Sequence, residues 1–160
     1  MQISDVTAAD LPAVLALNEA STPHVSSVSL DEMAWFAKNA HYFRVALDDS
    51  GLVGFLIGLR PGLGYQSPNY RWFCNHYTDF GYVDRVAVDA SARRKGIASW
   101  LYEDFADTLK SDVKVMTCEV NLRPANASSM HYHEQHGFRQ VASQETEGGR
   151  KEVALMEKKL

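Results

Sequence analysis

The segment with the clearest chemistry runs from an apolar strand through a basic loop into a helix. Val86-Ala87-Val88 leads into a polar loop containing Arg93-Arg94-Lys95, and a helix then begins at Gly96-Ile97-Ala98-Ser99. The N–H groups of a first helical turn have no partner within the helix, and the helix dipole is positive there, so this end attracts an anion. The small residues Gly96 and Ala98 leave room for that anion. The pattern favours a phosphate-binding loop, although the residues by themselves leave open a solvated basic loop that only caps a helix.

Other sites that these residue types suggest fit the sequence poorly. No Gly-Lys-Ser/Thr of a P-loop follows the basic loop, and the three glycines and downstream acid of a dinucleotide fold are missing. His131, His133 and His136 are close in sequence, but on a helix only the last two share a face, and no third ligand has suitable spacing. Cys74 and Cys118 are expected to be buried free thiols rather than nucleophiles. We therefore expect no metal site and no covalent intermediate.

Motifs in two parts of the chain together resemble the GNAT superfamily of acyl-coenzyme A dependent N-acetyltransferases. The pyrophosphate loop of that family, Arg/Gln-x-x-Gly-x-Gly/Ala, is matched by residues 93–98. Downstream, Glu119-Val120-Asn121 is followed by Asn126-x-x-Ser129 and by residues 132–138, which end in Gly137-Phe138. The resemblance covers nearly the whole chain and is weakest between residues 60 and 82. Residues 67–70 and 82–85 resemble a bacterial branch of the superfamily.

The resemblance implies an acetyl-coenzyme A site. The strand that ends at Val88 would pair through its backbone with the pantetheine arm, in a V-shaped slot formed with the strand at residues 113–120. The pyrophosphate would meet N–H groups of residues 94–99, and the region of Asn126 would hold the pantetheine or the loop near it. The implied cofactor-binding residues are Val86, Ala87, Val88, Arg93, Arg94, Lys95, Gly96, Ile97, Ala98, Ser99, Asn126 and Ser129.

Acetyl transfer to an amine requires a base that removes a proton from the amine. The resemblance places Glu119 at a position where some family members carry that base, with an exposed or ion-paired strand acid as the alternative. Asp84 is the second candidate, because side chains two apart on a strand share a face and Asp84 lies two residues before Val86. Its structural alternative is an ion pair with Arg85 or Arg71.

The departing thiolate also benefits from a proton donor. Counted back from Gly137-Phe138, His133 occupies the position that the family usually gives to a tyrosine, and histidine can donate a proton near neutrality. Tyr132 lies beside it and is the alternative donor. Protonation of the thiolate by water, with neither residue essential, is the third possibility.

Residues 65–82 contain an unusual density of aromatic side chains without a sustained strand or helix period. We predict an ordered, packed loop or lid on the acceptor side of the slot, in which ring faces of Tyr70, Trp72 and Tyr77 hold an ammonium or apolar group. Asn18, near the end of the first helix, is a further candidate for substrate binding. The alternative is that the rings pack the loop onto the sheet or bury a homodimer contact.

The remaining periodicity predicts the elements that position these residues. Helices are expected from the capping signal at Thr7 to about Ala20, from Ser29, from Ile97 to Leu109, and from Asn126 to about His136. Strands are expected at 42–47, 52–59, 82–88 and 113–120, followed by a strand pair joined around Gly148-Gly149. The order predicts one α+β domain over residues 1–160. The resemblance adds a three-layer α/β/α arrangement, with a mixed, mostly antiparallel sheet and a splay between two parallel strands.

Composition limits the classes of function. With 160 residues, 46% apolar residues and a formal net charge of −4, the chain is typical of one soluble globular domain and is not suited to electrostatic nucleic-acid binding. No apolar run approaches the ~20 residues of a membrane span, and the N-terminus lacks a secretion signal. We expect a cytoplasmic N-acetyltransferase that uses acetyl-coenzyme A to modify a primary amine of a small molecule or peptide. The alternative is a non-catalytic GNAT-fold module that senses acyl-coenzyme A or a metabolite.

Overall fold

The computed structural model describes residues 1–160 and contains seven strands and five α-helices. The strands are β1 (Gln2–Asp5), β2 (Tyr42–Asp48), β3 (Gly51–Leu59), β4 (Gly81–Val88), β5 (Val115–Arg123), β6 (Arg139–Thr146) and β7 (Lys151–Lys159). The α-helices are α1 (Leu11–Ala20), α2 (Leu30–Asn39), α3 (Pro68–His76), α4 (Ile97–Leu109) and α5 (Ala127–Gln135). None of these helices combines the length and the apolar character that a membrane span requires.

The strands form one mixed sheet in the order β1-β2-β3-β4-β5-β7-β6. Antiparallel pairing joins β1 to β2, β2 to β3, β5 to β7 and β6 to β7. Strands β4 and β5 are parallel, with Gly81 opposite Met116 and Tyr82 opposite Thr117. This pairing lies at the first two residues of β4.

The chain divides into two compact units, and β4 contributes to both. The first unit comprises Met1–Leu59 and Asp84–Thr108, and the second comprises Arg60–Val83 and Leu109–Leu160. The prediction of a single domain over residues 1–160 stays a prediction.

In the first unit, α4 packs through the apolar stripe that its sequence predicts. Ile97, Leu101 and Phe105 are all buried, at 2%, 0% and 0% exposure. The ring of Phe105 lies directly over Gly58 of β3, where there is no room for a Cβ atom. Glycine at position 58 is therefore a packing requirement of the helix against the sheet.

The second unit contains a helix where the sequence suggested an irregular loop, so the expectation for residues 65–82 was wrong in this respect. Ser67 caps α3 by accepting a hydrogen bond from the Tyr70 N–H at 3.3 Å, and Pro68 occupies the first helical position. Tyr70, Phe73 and Tyr77 follow at i, i+3 and i+7, which is a helical spacing. The first two of these side chains are fully buried.

The first strand was also missed. β1 has four residues, of which only Ile3 is aliphatic, and it is held by its register with β2, from Gln2 opposite Leu47 to Asp5 opposite Arg44. Such a strand depends on its partner, and no local pattern predicts it. The other predicted elements are present, with ends shifted by a few residues: β5, for example, begins at Val115 and runs on to Arg123.

Candidate active site

The basic loop between β4 and α4 has the geometry of an anion-binding helix start. Arg93, Arg94, Lys95 and Gly96 are all exposed. Arg94 and Gly96 have left-handed backbones, with φ of 63° and 77°, and a Cβ atom at Gly96 would meet nothing within 4 Å. The first bond of the helix runs from the Trp100 N–H to the Gly96 carbonyl, so the preceding amides of the first turn lack acceptors within the helix. These features fit a phosphate group.

Strand β4 presents the other cofactor residues of the first unit on alternating faces. Val86 and Val88 are half-buried, whereas Ala87 between them is buried. Asp84 lies on the same half-buried face as the two valines, as the two-residue period predicted. After Val88 the chain is fixed by Asp89, whose N–H donates to the Val53 carbonyl at 2.8 Å.

Asp84 belongs to a buried polar cluster. The Arg85 Nε–H donates to the Asp84 carboxylate at 2.8 Å, and the two side chains are only 4% and 3% exposed. Arg85 also donates to the Asn18 side chain at 3.0 Å and to the Ser26 carbonyl at 2.9 Å, and it lies over the Phe36 ring at 5.4 Å. The ion pair anticipated as the structural alternative for Asp84 is therefore present, while its role as a base stays a prediction.

Asn18 has a structural task in the same cluster. It is fully buried, and its amide donates to the Ser26 carbonyl at 3.0 Å while its oxygen accepts from Arg85. This geometry ties the segment between α1 and α2 to β4. Its contact with substrate stays a prediction, and its buried side chain supports the conformation of that segment.

Glu119, the first candidate base, lies on β5 in the second unit and is half-buried. Its Oε2 accepts a hydrogen bond of 2.6 Å from the hydroxyl of Tyr82. The sequence analysis did not identify this contact; the parallel pairing of β4 with β5 brings the two residues together. A short hydrogen bond of this type stabilises the charged form of a carboxylate. Cys118 beside it is buried and free, and burial raises the pKa of its thiol, which argues against a nucleophilic role.

Helix α5 carries both candidate proton donors. Its start is capped by Asn126, whose oxygen accepts from the Ser129 N–H at 3.3 Å. His133 is 6% exposed, and its Nδ1 lies 2.7 Å from the Ser129 carbonyl, which can only accept. Burial lowers the pKa of His133, which favours the neutral ring. The Nδ1–H of this ring donates a hydrogen bond to the Ser129 carbonyl. Tyr132 is half-buried and stacks on His136 at 4.1 Å.

The predicted substrate residues in α3 and just after it differ from one another in their surroundings. Tyr70 is fully buried, and its hydroxyl donates to the Arg60 carbonyl at 2.7 Å. Burial raises the pKa of Tyr70 to about 12. Tyr77 is half-buried and donates to Glu157 at 2.6 Å. Trp72 is half-buried and stacks on His76 at 3.8 Å. Of the three, Tyr70 packs the helix onto the sheet, as the alternative interpretation anticipated.

The described chain contains no group of three or more His, Cys, Asp or Glu side chains able to hold a metal ion. The predicted residues fall into two sets, one in each unit. The first unit carries the basic loop, the end of β4 and Asp84, and the second carries Glu119, α3 and α5.

A family model, described as the acetyltransferase (GNAT) family, matches residues 11–138. No curated protein sequence gives a significant match.

Solved structures share the fold. The ribosomal-protein-S18-alanine N-acetyltransferase of Escherichia coli is 19% identical, with a TM-score of 0.75 over 99% of this chain and 92% of that one. The ribosomal-protein-alanine N-acetyltransferase of Brucella melitensis is 23% identical, with a TM-score of 0.73 and complete coverage of both chains. Naa20 of Chaetomium thermophilum, in complex with a bisubstrate analogue, is 19% identical, with a TM-score of 0.77 over 100% and 87% of the two chains. At these identities the likeness establishes the fold.

Proposed function

The chain belongs to the GNAT family of acetyltransferases, and we propose that it transfers an acetyl group from acetyl-coenzyme A to a primary amine of a small molecule or peptide. The observation that carries the proposal is the exposed basic loop, with its left-handed Gly96 at the first turn of α4.

The cofactor contacts follow from that loop. The amides of the first turn of α4 and the cations of Arg93, Arg94 and Lys95 would hold the pyrophosphate, because both favour negative charge. The backbone of residues 86–88 would pair with the pantetheine arm. Acetyl-coenzyme A supplies the thioester carbonyl that the amine attacks and the thiol that leaves.

We assign Glu119 as the base that takes the proton from the attacking amine. The hydrogen bond that Glu119 accepts on Oε2 stabilises the charged form of the carboxylate, which is the form that can take a proton from the amine. Asp84 is the weaker candidate, because its carboxylate is buried against Arg85. Replacing Glu119 by Gln removes the acceptor charge at nearly constant volume, and we expect kcat to fall by roughly 100-fold or more. Asp84→Asn is the comparison; if it alone is crippling without loss of stability, the base is Asp84.

We assign the donor of the thiolate's proton to Tyr132 rather than His133. The ring of His133 is buried, and its Nδ1–H donates a hydrogen bond to the Ser129 carbonyl, so this proton is not directed at the thiolate. Tyr132, by contrast, is partly exposed on the same helix. Tyr132→Phe should therefore lower kcat while leaving the affinity for acetyl-coenzyme A unchanged.

Two of the similar structures are named as enzymes that acetylate a ribosomal-protein alanine. A peptide with an N-terminal alanine is therefore the first acceptor to test, beside small cationic and aromatic amines. Trp72 and Tyr77 would provide ring faces for the acceptor. A cytoplasmic location is part of the proposal and is supported by the free cysteines Cys74 and Cys118.

The proposal is tested by coenzyme A release with this panel of amines. Since Cys74 is a half-buried free thiol, detection by chromatography is preferable to a thiol-reactive dye. Amine-dependent release above hydrolysis supports an acetyltransferase. Saturable binding of acetyl-coenzyme A without release for any amine would instead support a sensing module.

A further inference from the structure

We propose that Tyr82 is a positioning residue for Glu119 and that packing against α3 holds the Tyr82 side chain in place. This inference rests on the proposed role of Glu119 as the base. The aromatic side chains of residues 65–82 would then support the position of the catalytic carboxylate through Tyr82, in addition to any contact with the acceptor.

The contact between the two residues is short and rigidly supported. The Tyr82 hydroxyl donates to Glu119 Oε2 at 2.6 Å, and Tyr82 is 0% exposed. Its ring packs against Tyr70 at 5.6 Å and Phe73 at 5.8 Å between ring centroids. Phe80, also fully buried, contacts both of these rings at 6.1 and 6.0 Å. A side chain enclosed in this way cannot exchange rotamers freely, so its hydroxyl stays aimed at the carboxylate.

Helix α3 is in turn tied to the sheet by hydrogen bonds at several points. Tyr77, just after the helix, donates to Glu157 of β7 at 2.6 Å. Near the start of the helix, Asn69 accepts a hydrogen bond of 2.9 Å from Gln144 of β6. These ties position α3 over β6 and β7, and its rings reach Tyr82 on β4.

Two titratable groups of the second unit, Glu157 and His133, have hydrogen-bond partners of their own. Glu157 lies opposite Thr117, on the same face of the sheet as Glu119, and its oxygens accept from Tyr77 and from Arg139 of β6. Cys118 is adjacent in sequence and points to the other face. On α5, the Nδ1–H of His133 donates a hydrogen bond to the Ser129 carbonyl. The Tyr82 hydroxyl donates directly to Glu119, so it restrains the direction of the carboxylate and favours its charged form.

The test compares Tyr82→Phe with a matched control, Tyr42→Phe. Both substitutions keep the aromatic ring and remove a hydroxyl that donates to a carboxylate. The acceptor is Glu119 for Tyr82, at 2.6 Å, and Asp104 for Tyr42, at 2.8 Å. The probe is the carbon-13 signal of the Glu119 carboxyl in labelled protein, assigned by its disappearance in Glu119→Gln and titrated with pH. This readout requires no acceptor.

Loss of the Tyr82 donor disfavours the charged carboxylate, so the Glu119 midpoint should rise by about one pH unit, a tenfold change in its ionisation constant. Tyr42→Phe should leave the midpoint where it is in the wild type. In the pH profile of kcat/KM for the best amine, the break that reports protonation of Glu119 should move upward by the same amount in Tyr82→Phe. The separate break set by the ammonium form of the amine and the KM for acetyl-coenzyme A should not change.

An unchanged Glu119 midpoint in folded Tyr82→Phe would overturn the positioning role. So would a moved midpoint with an unchanged rate profile when Glu119→Gln is inactive. Full activity of Glu119→Gln is a different result, because it removes the assignment of the base itself. The double variant Tyr82→Phe/Glu119→Gln should be no slower than Glu119→Gln alone, since Tyr82 acts through the carboxylate.

Discussion

Gly96→Glu should weaken acetyl-coenzyme A binding for a reason that can be separated from backbone strain. Gly96 has φ of 77°, and a side chain there has open space around its Cβ. The left-handed conformation costs a non-glycine residue about 1–2 kcal/mol. For a chain of 160 residues this corresponds to a fall in Tm of about 2–8 °C. The strain and the side-chain volume should be nearly the same in Gly96→Gln and Gly96→Glu, so the comparison of these two variants isolates the charge.

For an illustrative charge separation of about 5 Å, a Glu carboxylate at position 96 would repel a pyrophosphate bound at the first turn of α4. One pair of like charges at that distance costs about 1–3 kcal/mol for effective dielectric constants between about 80 and 20, which is roughly 5- to 150-fold in Kd. Isothermal titration calorimetry at low and moderate salt measures this directly. The loss should shrink as salt screens the charges.

Gly62→Glu is the matched control, because Gly62 also has a positive φ, of 95°, and no atom within 4 Å of a Cβ position. It should share the loss of stability and keep the wild-type Kd. Equal Kd values for Gly96→Gln and Gly96→Glu would refute the phosphate-binding role of the loop.

Three further outcomes follow from the observed contacts. Arg85→Met leaves the Asp84 carboxylate buried without its partner, and chemical denaturation should show a loss of about 3–5 kcal/mol in the free energy of unfolding; a loss under about 1 kcal/mol would contradict the cluster. Because the folded-state pKa of His133 is lowered, its contribution to stability is present above the unfolded pKa and is lost as pH falls, so the stability of His133→Phe relative to wild type should rise between pH ~7.5 and ~5.5 in urea unfolding. Tyr70→Ala should cost about 3–5 kcal/mol of stability, whereas Trp72→Ala should raise the amine KM with little change in Tm; the reverse pattern would exchange their roles.

Much of the fold could be predicted because local patterns agreed with tertiary packing. The capping box of Ser29 and Glu32 is present at the start of α2, with both hydrogen bonds at 3.1 Å. The four-residue spacing of α4 corresponds to its buried face. Helix α3 was missed because aromatic residues are modest helix formers, although Ser67-Pro68 and the spacing of Tyr70, Phe73 and Tyr77 were available as signals.

The candidate site was predictable in its loop and less so in its side-chain partners. Residues 93–98 are contiguous, so their sequence carries the motif and the helix start together. The hydrogen bond between Tyr82 and Glu119 links residues on two strands that are brought together by parallel pairing. No local sequence pattern encodes it. For His133, sequence position suggested a proton donor, whereas its burial depends on how α5 packs. Its hydrogen bond to the Ser129 carbonyl is a contact four residues apart within the same helix.

The most direct measurement of acetyl transfer follows the acetyl group itself. Acetyl-coenzyme A carrying a carbon-13 acetyl group is incubated with the chain and the amine panel, including a peptide with an N-terminal alanine, and the products are identified by mass spectrometry. We predict labelled acetyl on the amine nitrogen of at least one acceptor, equimolar with free coenzyme A, and its loss in Glu119→Gln. Stoichiometric binding of acetyl-coenzyme A with no labelled amine in any reaction would contradict acetyl transfer as the function.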